Sequence, residues 1–242
     1  MKIALFSDVH ANVEALEVFV NSTYGKVDMY ICLGDIIGYG PDPSKAISIV
    51  KALCRDEFAI RGNHERGVLD TSKLKSFNPI AAEALIWTMN NLSPSDIDYL
   101  ASLSDVIEFE NFLFVHGSPR SSDEYIVSYK SALENIELIK KKNKKICFFG
   151  HTHIAVIWKE EGGFIPKVDE EIELDINEYY LINPGSIGQP RDGVPLGSYA
   201  IFDDQKYSVV FKRFEYDIDK VYKKIVERGI PEYLGRRLFY GV

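Results

Sequence analysis

The sequence predicts an α/β chain folded as a four-layer α/β/β/α sandwich, with two mixed sheets flanked by helices. Three features lead there. The first half alternates apolar strand-like runs with amphipathic stretches, the second half strings short strands together with few helices between them, and each of the five histidines follows an apolar run. Alternating strand and helix implies parallel pairing through crossover connections, whereas closely spaced strands imply antiparallel pairing. Two such sheets can bury one face against each other and the other beneath helices.

In chain order, "IALF" reads as a first strand and "NVEALEVFVNSTY" as the helix that follows, and "MYICL", "PSKAISIVKALC" and "FAIRGN" repeat the pattern. A helical insert comes next, "PIAAEALIWTMNNL" and the capped "SPSDIDYLASL". The runs "VIEFE" and "FLFVHG" predict a hairpin around Glu110 and Asn111, and "SALENIELIKK" a helix. "KICFFG" predicts a buried strand ending at Gly150. After it, "AVIWKE", "EYYLIN", "SYAIFD" and "YSVVFKRF" read as an antiparallel sheet. Residues 217–242 read as a helical segment with a break at Gly229 to Pro231. No repeat, low-complexity tract or linker divides the chain, so one domain over residues 1–242 is expected.

Composition narrows the function classes. At 242 residues, 46% hydrophobic and 26% charged, the chain is long enough for a sizeable core. Its net charge of -8 argues against a general nucleic-acid surface, which needs clustered cations to displace counterions. The basic run "KKKNKK" reads as the solvated end of a helix. Cys32, Cys54 and Cys147 lie far apart with no CxxC, as core residues of a reducing compartment would. The N-terminus enters "KIALFSD" directly, so a cytoplasmic location without membrane contact is expected. The absence of GxxxxGK[ST], GxGxxG and HExxH removes nucleotide-driven motors, dehydrogenases and zincins from consideration.

His10 lies in "SDVHAN", His64 in "RGNHERG", His116 in "VHGSP", and His151 and His153 in "GHTH". Asp8, Asp35 and Asn63 share these segments. Singly, each has an ordinary reading as a helix cap, a turn or a surface residue. Together they occupy strand exits, where open α/β sheets carry their chemistry, and they predict one site. A nitrogen and oxygen donor set without thiolate suits a two-metal centre of Mn²⁺, Fe, Zn²⁺ or Ni²⁺.

In their order, "SDVHAN", "GDIIGYG", "GNHE", "VHG" and "GHTH" resemble the signature of the calcineurin-like metallophosphoesterases. "GDIIGYGPDP", "VHGSPRSSDEYI" and "NPGSIGQPRDG" resemble more narrowly its small prokaryotic phosphodiesterase and diadenosine-polyphosphatase-like branch. The resemblance implies an α/β/β/α sandwich, two divalent transition-metal ions with Mn²⁺ foremost, and hydrolysis of phosphodiester or nucleotide phosphate bonds by a water bridging the ions. It implies that Asp8, His10 and His153 bind one ion and Asn63, His116 and His151 the other. Asp35 would bridge them. His64 would be the non-ligand histidine that protonates the leaving oxygen or holds a phosphoryl oxygen.

A small phosphorylated substrate would meet Arg191, Arg61, Tyr39 and the backbone of "NPGSIG". The simpler readings are a surface turn for Arg191, an ion pair with Glu65 or Asp70 for Arg61, and packing for Tyr39. Two positions depart from the wider family. Gly38 and Tyr39 stand where protein phosphatases have Asp and Arg, which removes the usual partner of the catalytic histidine, and Ala11 replaces a common glycine. The C-terminal "YLGRRLFYGV" reads as terminal packing, with a basic, aromatic edge for a nucleotide as the sharper alternative. A phosphomonoesterase, or a metal-holding scaffold without catalysis, are the rival functions.

Overall fold

Alternate side chains of β1 (Lys2–Phe6) enter different layers: Ile3 and Leu5 join a core between two sheets, Ala4 and Phe6 a core beneath helices. A strand covered on both faces requires that two-residue period. The computed structural model, which describes residues 1–55 and 57–242, repeats the division elsewhere. In β4 (Phe112–Phe114) and β5 (Ile146–Phe148), Phe112, Phe114, Ile146 and Phe148 enter the core between the sheets. Leu113 and Cys147 instead pack with α6 (Tyr129–Lys141) through Ile136 and Ile139. On the opposite side, α1 (Val13–Thr23) and α2 (Pro43–Cys54) contribute Leu16, Phe19, Ile47 and Val50 to the outer core.

The first sheet runs β2 (Met29–Cys32), β1, β10 (Gly197–Asp203), β11 (Ser208–Phe214) and β8 (Glu171–Glu173). The second runs β3 (Ile107–Phe109), β4, β5, β9 (Tyr180–Pro184), β6 (Ala155–Lys159) and β7 (Gly162–Phe164). Both are mixed: β1 and β2 are parallel in the first, as are β4, β5 and β9 in the second, and the remaining pairs are antiparallel. The sheets are therefore not divided between the halves of the chain, as the change of texture after Gly150 suggested. β10 returns to pair with β1, setting Ile3 opposite Phe202 and Leu5 opposite Ala200. Alternation marks a strand and its buried face but does not name its neighbour.

The expected third strand, "FAIRGN", shrinks to bridges between Cys32 and Ala59 and between Ile60 and Ser104, because Asn63 already opens α3 (Asn63–Leu69). The insert forms α4 (Pro79–Asn90) and α5 (Pro94–Ser102), each with proline in its first turn. Asn78 Oδ1 accepts from the Ala81 N–H (2.9 Å) and Ser93 Oγ from the Asp96 N–H (3.2 Å), which caps both. At the C-terminus, α7 (Ile218–Glu227) and α8 (Glu232–Arg236) pack Val221, Ile225 and Leu234 against Tyr39, Ala81 and Ala84. This brings the end of the chain beside the loop that follows β2. The three cysteines are buried and unbridged, and no helix among the described residues is long and apolar enough to cross a membrane.

Phe148 stacks on Phe114 with ring centres 5.1 Å apart and lies 5.3 Å from Phe202 across the sheets. Phe148→Ala is expected to lower the free energy of unfolding by about 3–5 kcal/mol. Urea denaturation measures this, and a loss below about 1 kcal/mol would contradict the packing described.

Candidate metal centre

The C-terminal ends of β1, β2, β4, β5 and β9 meet at one edge of the sandwich, and the loops leaving them bond to one another. The Asp8 N–H donates to the Gly34 carbonyl (3.0 Å), His10 N–H to Asp35 (2.9 Å), Gly150 N–H to His116 (2.7 Å) and Gly188 N–H to Asp8 (3.0 Å). These bonds hold a strained backbone. Asp8 (φ 54°), His10 (49°), Asp35 (52°), Tyr39 (43°), His151 (65°) and His153 (60°) all take the left-handed conformation that side-chain-bearing residues rarely adopt. Ala11 does the same (φ 54°), in a conformation a glycine would take freely. His151 and His153 thus diverge at a turn of left-handed residues, and not by strand alternation, while Thr152 Oγ1 accepts from Asn183 Nδ2 (3.0 Å).

Ligand atoms of Asp8, His10, Asp35 and His153 lie within 4.8 Å of one another, and so do those of Asp35, His116 and His151. Asp35 belongs to both groups. Asn63, the first residue of α3, places Oδ1 3.0 Å from His116 Nε2 and so joins the second group. All of the clustered carboxylates and imidazoles are buried.

Backbone carbonyls orient the rings. His10 Nδ1 donates to Ile37 (3.1 Å), His116 Nδ1 to Leu33 (2.8 Å) and His153 Nδ1 to Gln189, which turns each Nε2 inward. His10 Nε2 then faces His153 Nε2 at 3.1 Å, and His116 Nε2 lies 3.2 Å from Asp35 Oδ2. Facing lone pairs repel unless positive charge lies between them. Asp8 Oδ1 and His151 Nε2 are buried without a hydrogen-bond partner among the described residues. Orphaned acceptors, inward-turned imidazoles and shared carboxylates fit divalent transition-metal ions.

The electrostatics agree with that fit. Burial disfavours charge on His151 and lowers it to about 3, and burial raises Asp8 to about 7. Burial opposes a charge on His116 as well, yet the neighbouring Asp35 carboxylate raises it to about 9. Against its own burial, Asp35 is held well below the usual carboxylate range by His116 and His64. The protein thus concentrates groups that need a cation to be comfortable together.

His64, at the first turn of α3 rather than in a loop, donates its N–H to Asp35 Oδ1 (3.0 Å) and holds Nε2 3.9 Å from Asp35 Oδ2. Its ring packs against Tyr39 (4.5 Å), His10 (4.7 Å) and Phe77 (5.3 Å). Nδ1 has no partner among the described residues and points at Gly38, where a Cβ would come within 2.0 Å of it. Ring packing in the space left by glycine thus replaces the missing carboxylate as the orienting force.

A cavity of about 280 Å³ lies over the clusters, lined by Asp35, Asn63, His64, His151, His153, Tyr39 and Arg191. The structure does not bring Arg61 there. Its Nε donates to Asp105 Oδ1 (2.9 Å), so the partner is neither Glu65 nor Asp70, and Arg66 joins the same oxygen at 2.9 Å. Amides of "NPGSIG" are likewise engaged elsewhere: Gly185 N–H bonds Asn183 Oδ1 (2.9 Å), Ile187 N–H the Ser7 carbonyl (3.0 Å) and Gly188 N–H the Asp8 carbonyl (3.0 Å). Those of Ile187 and Gly188 tie this loop to the one after β1, and none of the three is free to cradle an anion.

Sequence reasoning missed Glu65, buried and accepting from the backbone of Asp35 and Gly62, although its place in "GNHE" was a signal. It also missed Tyr125, whose ring lies 4.0 Å from that of His151, although the stretch "VHGSPRSSDEYI" contains it.

Gly38→Ala would set a Cβ against the His64 ring at a residue with φ +92°. A loss of stability above about 1 kcal/mol and a displaced His64 imidazole signal in NMR spectra are expected. If neither changed, the ring would not be seated there.

Residues 1–206 match the calcineurin-like phosphoesterase superfamily domain. An uncharacterized protein of Methanocaldococcus jannaschii is 37% identical over 245 residues, covering 99% of this chain and 98% of that protein. The crystal structure of a metallophosphoesterase from Sphaerobacter thermophilus is 37% identical, with a TM-score of 0.89 and 100% of both chains covered. A protein of Pyrococcus horikoshii, 18% identical, has the same fold with a TM-score of 0.79 over 100% of this chain and 98% of its own. Such phosphoesterases work with divalent metal ions, for which the clustered side chains are suited. The chain belongs to the calcineurin-like phosphoesterase superfamily, as a metal-dependent hydrolase of phosphate esters.

Proposed function

We propose that this chain hydrolyses phosphodiester or nucleotide phosphate bonds of a small substrate with two divalent transition-metal ions, Mn²⁺ foremost. Asp8, His10 and His153 would hold one ion and Asn63, His116 and His151 the other, with Asp35 shared. The observation that carries this reading is the meeting of two buried ligand clusters at Asp35, beneath a cavity that His64 and Arg191 also line. Bound there, divalent ions would supply an acidified water as nucleophile and draw charge from the phosphoryl oxygens.

The protein's own part is orientation and electrostatics. Carbonyl bonds aim the imidazoles of His10, His116 and His153. His64, packed in place by Tyr39 and Phe77, is positioned to hold a phosphoryl oxygen or to protonate the leaving oxygen. The Arg191 guanidinium bonds the amide oxygen of Gln189 (2.8 Å), and among the described residues no Asp or Glu pairs with it, which leaves its charge for a phosphate. Tyr39 lies beneath that guanidinium, 5.7 Å from ring centre to Cζ.

The test is Mn²⁺-dependent hydrolysis of a chromogenic phosphodiester beside the matching monoester. Wild type is expected to prefer the diester, and His64→Ala to lower kcat by about 10²–10⁴-fold while metal content by elemental analysis stays unchanged. Unchanged turnover would remove His64 from the chemistry, and preference for the monoester would replace the diester reading. Asp35→Ala is expected to lose bound metal as well as activity. Retention of both ions in that variant would refute the shared carboxylate.

A further inference from the structure

Arg191 and Arg237 differ from most of the arginines. Arg61, Arg66, Arg120, Arg213, Arg228 and Arg236 each form an ion pair with Asp or Glu. Among the described residues, the guanidinium of Arg191 bonds Gln189 Oε1, and that of Arg237 bonds the main-chain oxygen of Val242. In a chain of net charge -8, it is notable that among the described residues no Asp or Glu side chain pairs with either guanidinium.

The fold brings them to two adjoining cavities. The Gly193 N–H, on the loop that carries Arg191, donates to the Gly241 carbonyl (2.9 Å), and this ties the C-terminal turn to that loop. Residues of α8 and the turn after it divide by their spacing. Leu234 and Leu238 pack into the cluster around Tyr39, while Tyr233 and Arg237, also four apart, line with Leu234 a cavity of about 430 Å³. That cavity shares Tyr39 and Asn78 with the 280 Å³ space over the metal clusters. Arg237 lies 5.7 Å from the ring centre of Tyr233, which is 53% exposed, so this chamber opens to solvent beside an aromatic face. Burial, and then the charge of Arg191, lower the pKa of Arg237. Like charges so gathered are a standing cost that a bound anion offsets.

We propose that Arg237, with Arg191 and Tyr39, forms a second anion subsite that takes a phosphate group beyond the one being hydrolysed. The subsite rests on the phosphoesterase reading above, which places the first phosphate over the metal clusters. A bare phosphate chain and the chain of a nucleotide share this chemistry. Tyr233 offers a base a surface to stack on in the second case.

Calorimetric titration of the metal-loaded full chain tests the subsite with three probes whose terminal phosphorus bears carbon in place of the bridging ester or anhydride oxygen: methylphosphonate, methylenediphosphonate and the β,γ-methylene analogue of ATP. Arg237→Gln is expected to weaken methylenediphosphonate binding about tenfold, the effect of losing one charged hydrogen-bonding partner, and methylphosphonate binding by less than about twofold. Arg237→Lys, which keeps the charge and most of the packing, should retain most of the difference between the two probes. Equal losses for both, or none, would overturn the subsite. A greater loss for the ATP analogue than for methylenediphosphonate would identify a nucleotide as the source of the phosphate, and equal losses a simple phosphate chain. Turnover of the chromogenic diester is followed in parallel. Its absence with the Arg237-dependent difference intact would defeat the hydrolytic reading alone, and its presence with both phosphonates responding alike would defeat the subsite alone.

Discussion

The buried carboxylate of Glu65 accepts hydrogen bonds from the N–H groups of Gly62 (2.7 Å), Asp35 (2.9 Å) and Ile37 (3.1 Å), and so clamps the loop after β2 to the start of α3. The rest of the site depends on that clamp. Asp35 is held left-handed, with Oδ1 under the His64 N–H and Oδ2 toward His116. The same loop then accepts the amides of Asp8, His10 and Ala11 through the carbonyls of Gly34, Asp35 and Ile36. Without Glu65, backbone amides in a dry interior would lose their acceptors, and each unpaired group costs about 1–3 kcal/mol. A residue outside the two clusters therefore holds in place the loop that carries Asp35.

What the clamp protects is an arrangement that an apolar core would not tolerate. Buried carboxylates and inward-turned imidazoles crowd together, and their orientation is set by carbonyls on the far side of each ring. The strain is local and is met by local bonds, since the left-handed residues lie in loops that exchange amides and carbonyls across both sheets. His64 is the exception in kind. Among the described residues no hydrogen bond to Nδ1 holds its ring, which instead fills the volume Gly38 leaves open and is walled by Tyr39 and Phe77.

Net charge is a poor guide to this surface. The chain is acidic overall, yet the space above its clusters is faced by Arg191 and, past Tyr39, by Arg237. Global charge bears on solubility and non-specific binding, whereas a phosphate responds to the few cations within reach. The C-terminal segment shows how one short element serves two ends. Leu234 and Leu238 pack as the terminal-packing reading expected, and the same turns carry Tyr233 and Arg237 to the cavity.

By itself the sequence determined most of the elements and the chemistry at their ends. The helices of the insert announced themselves through Asn78, Ser93 and the prolines after them, and the strands of the cores through alternation. The histidines, Asp8, Asp35 and Asn63 were legible because each lies in a short polar stretch directly after an apolar run, a local pattern. Only the tertiary structure decided which strands pair, since alternation selects a face but not a neighbour and β10 travels nearly the length of the chain to reach β1. It alone sent Arg61 outward to Asp105 and Arg237 inward to the cavity, gave Glu65 its amides, and set Gly38 beneath His64. Those outcomes depend on where a side chain points and what stands opposite it, and both follow from packing between segments remote in the chain.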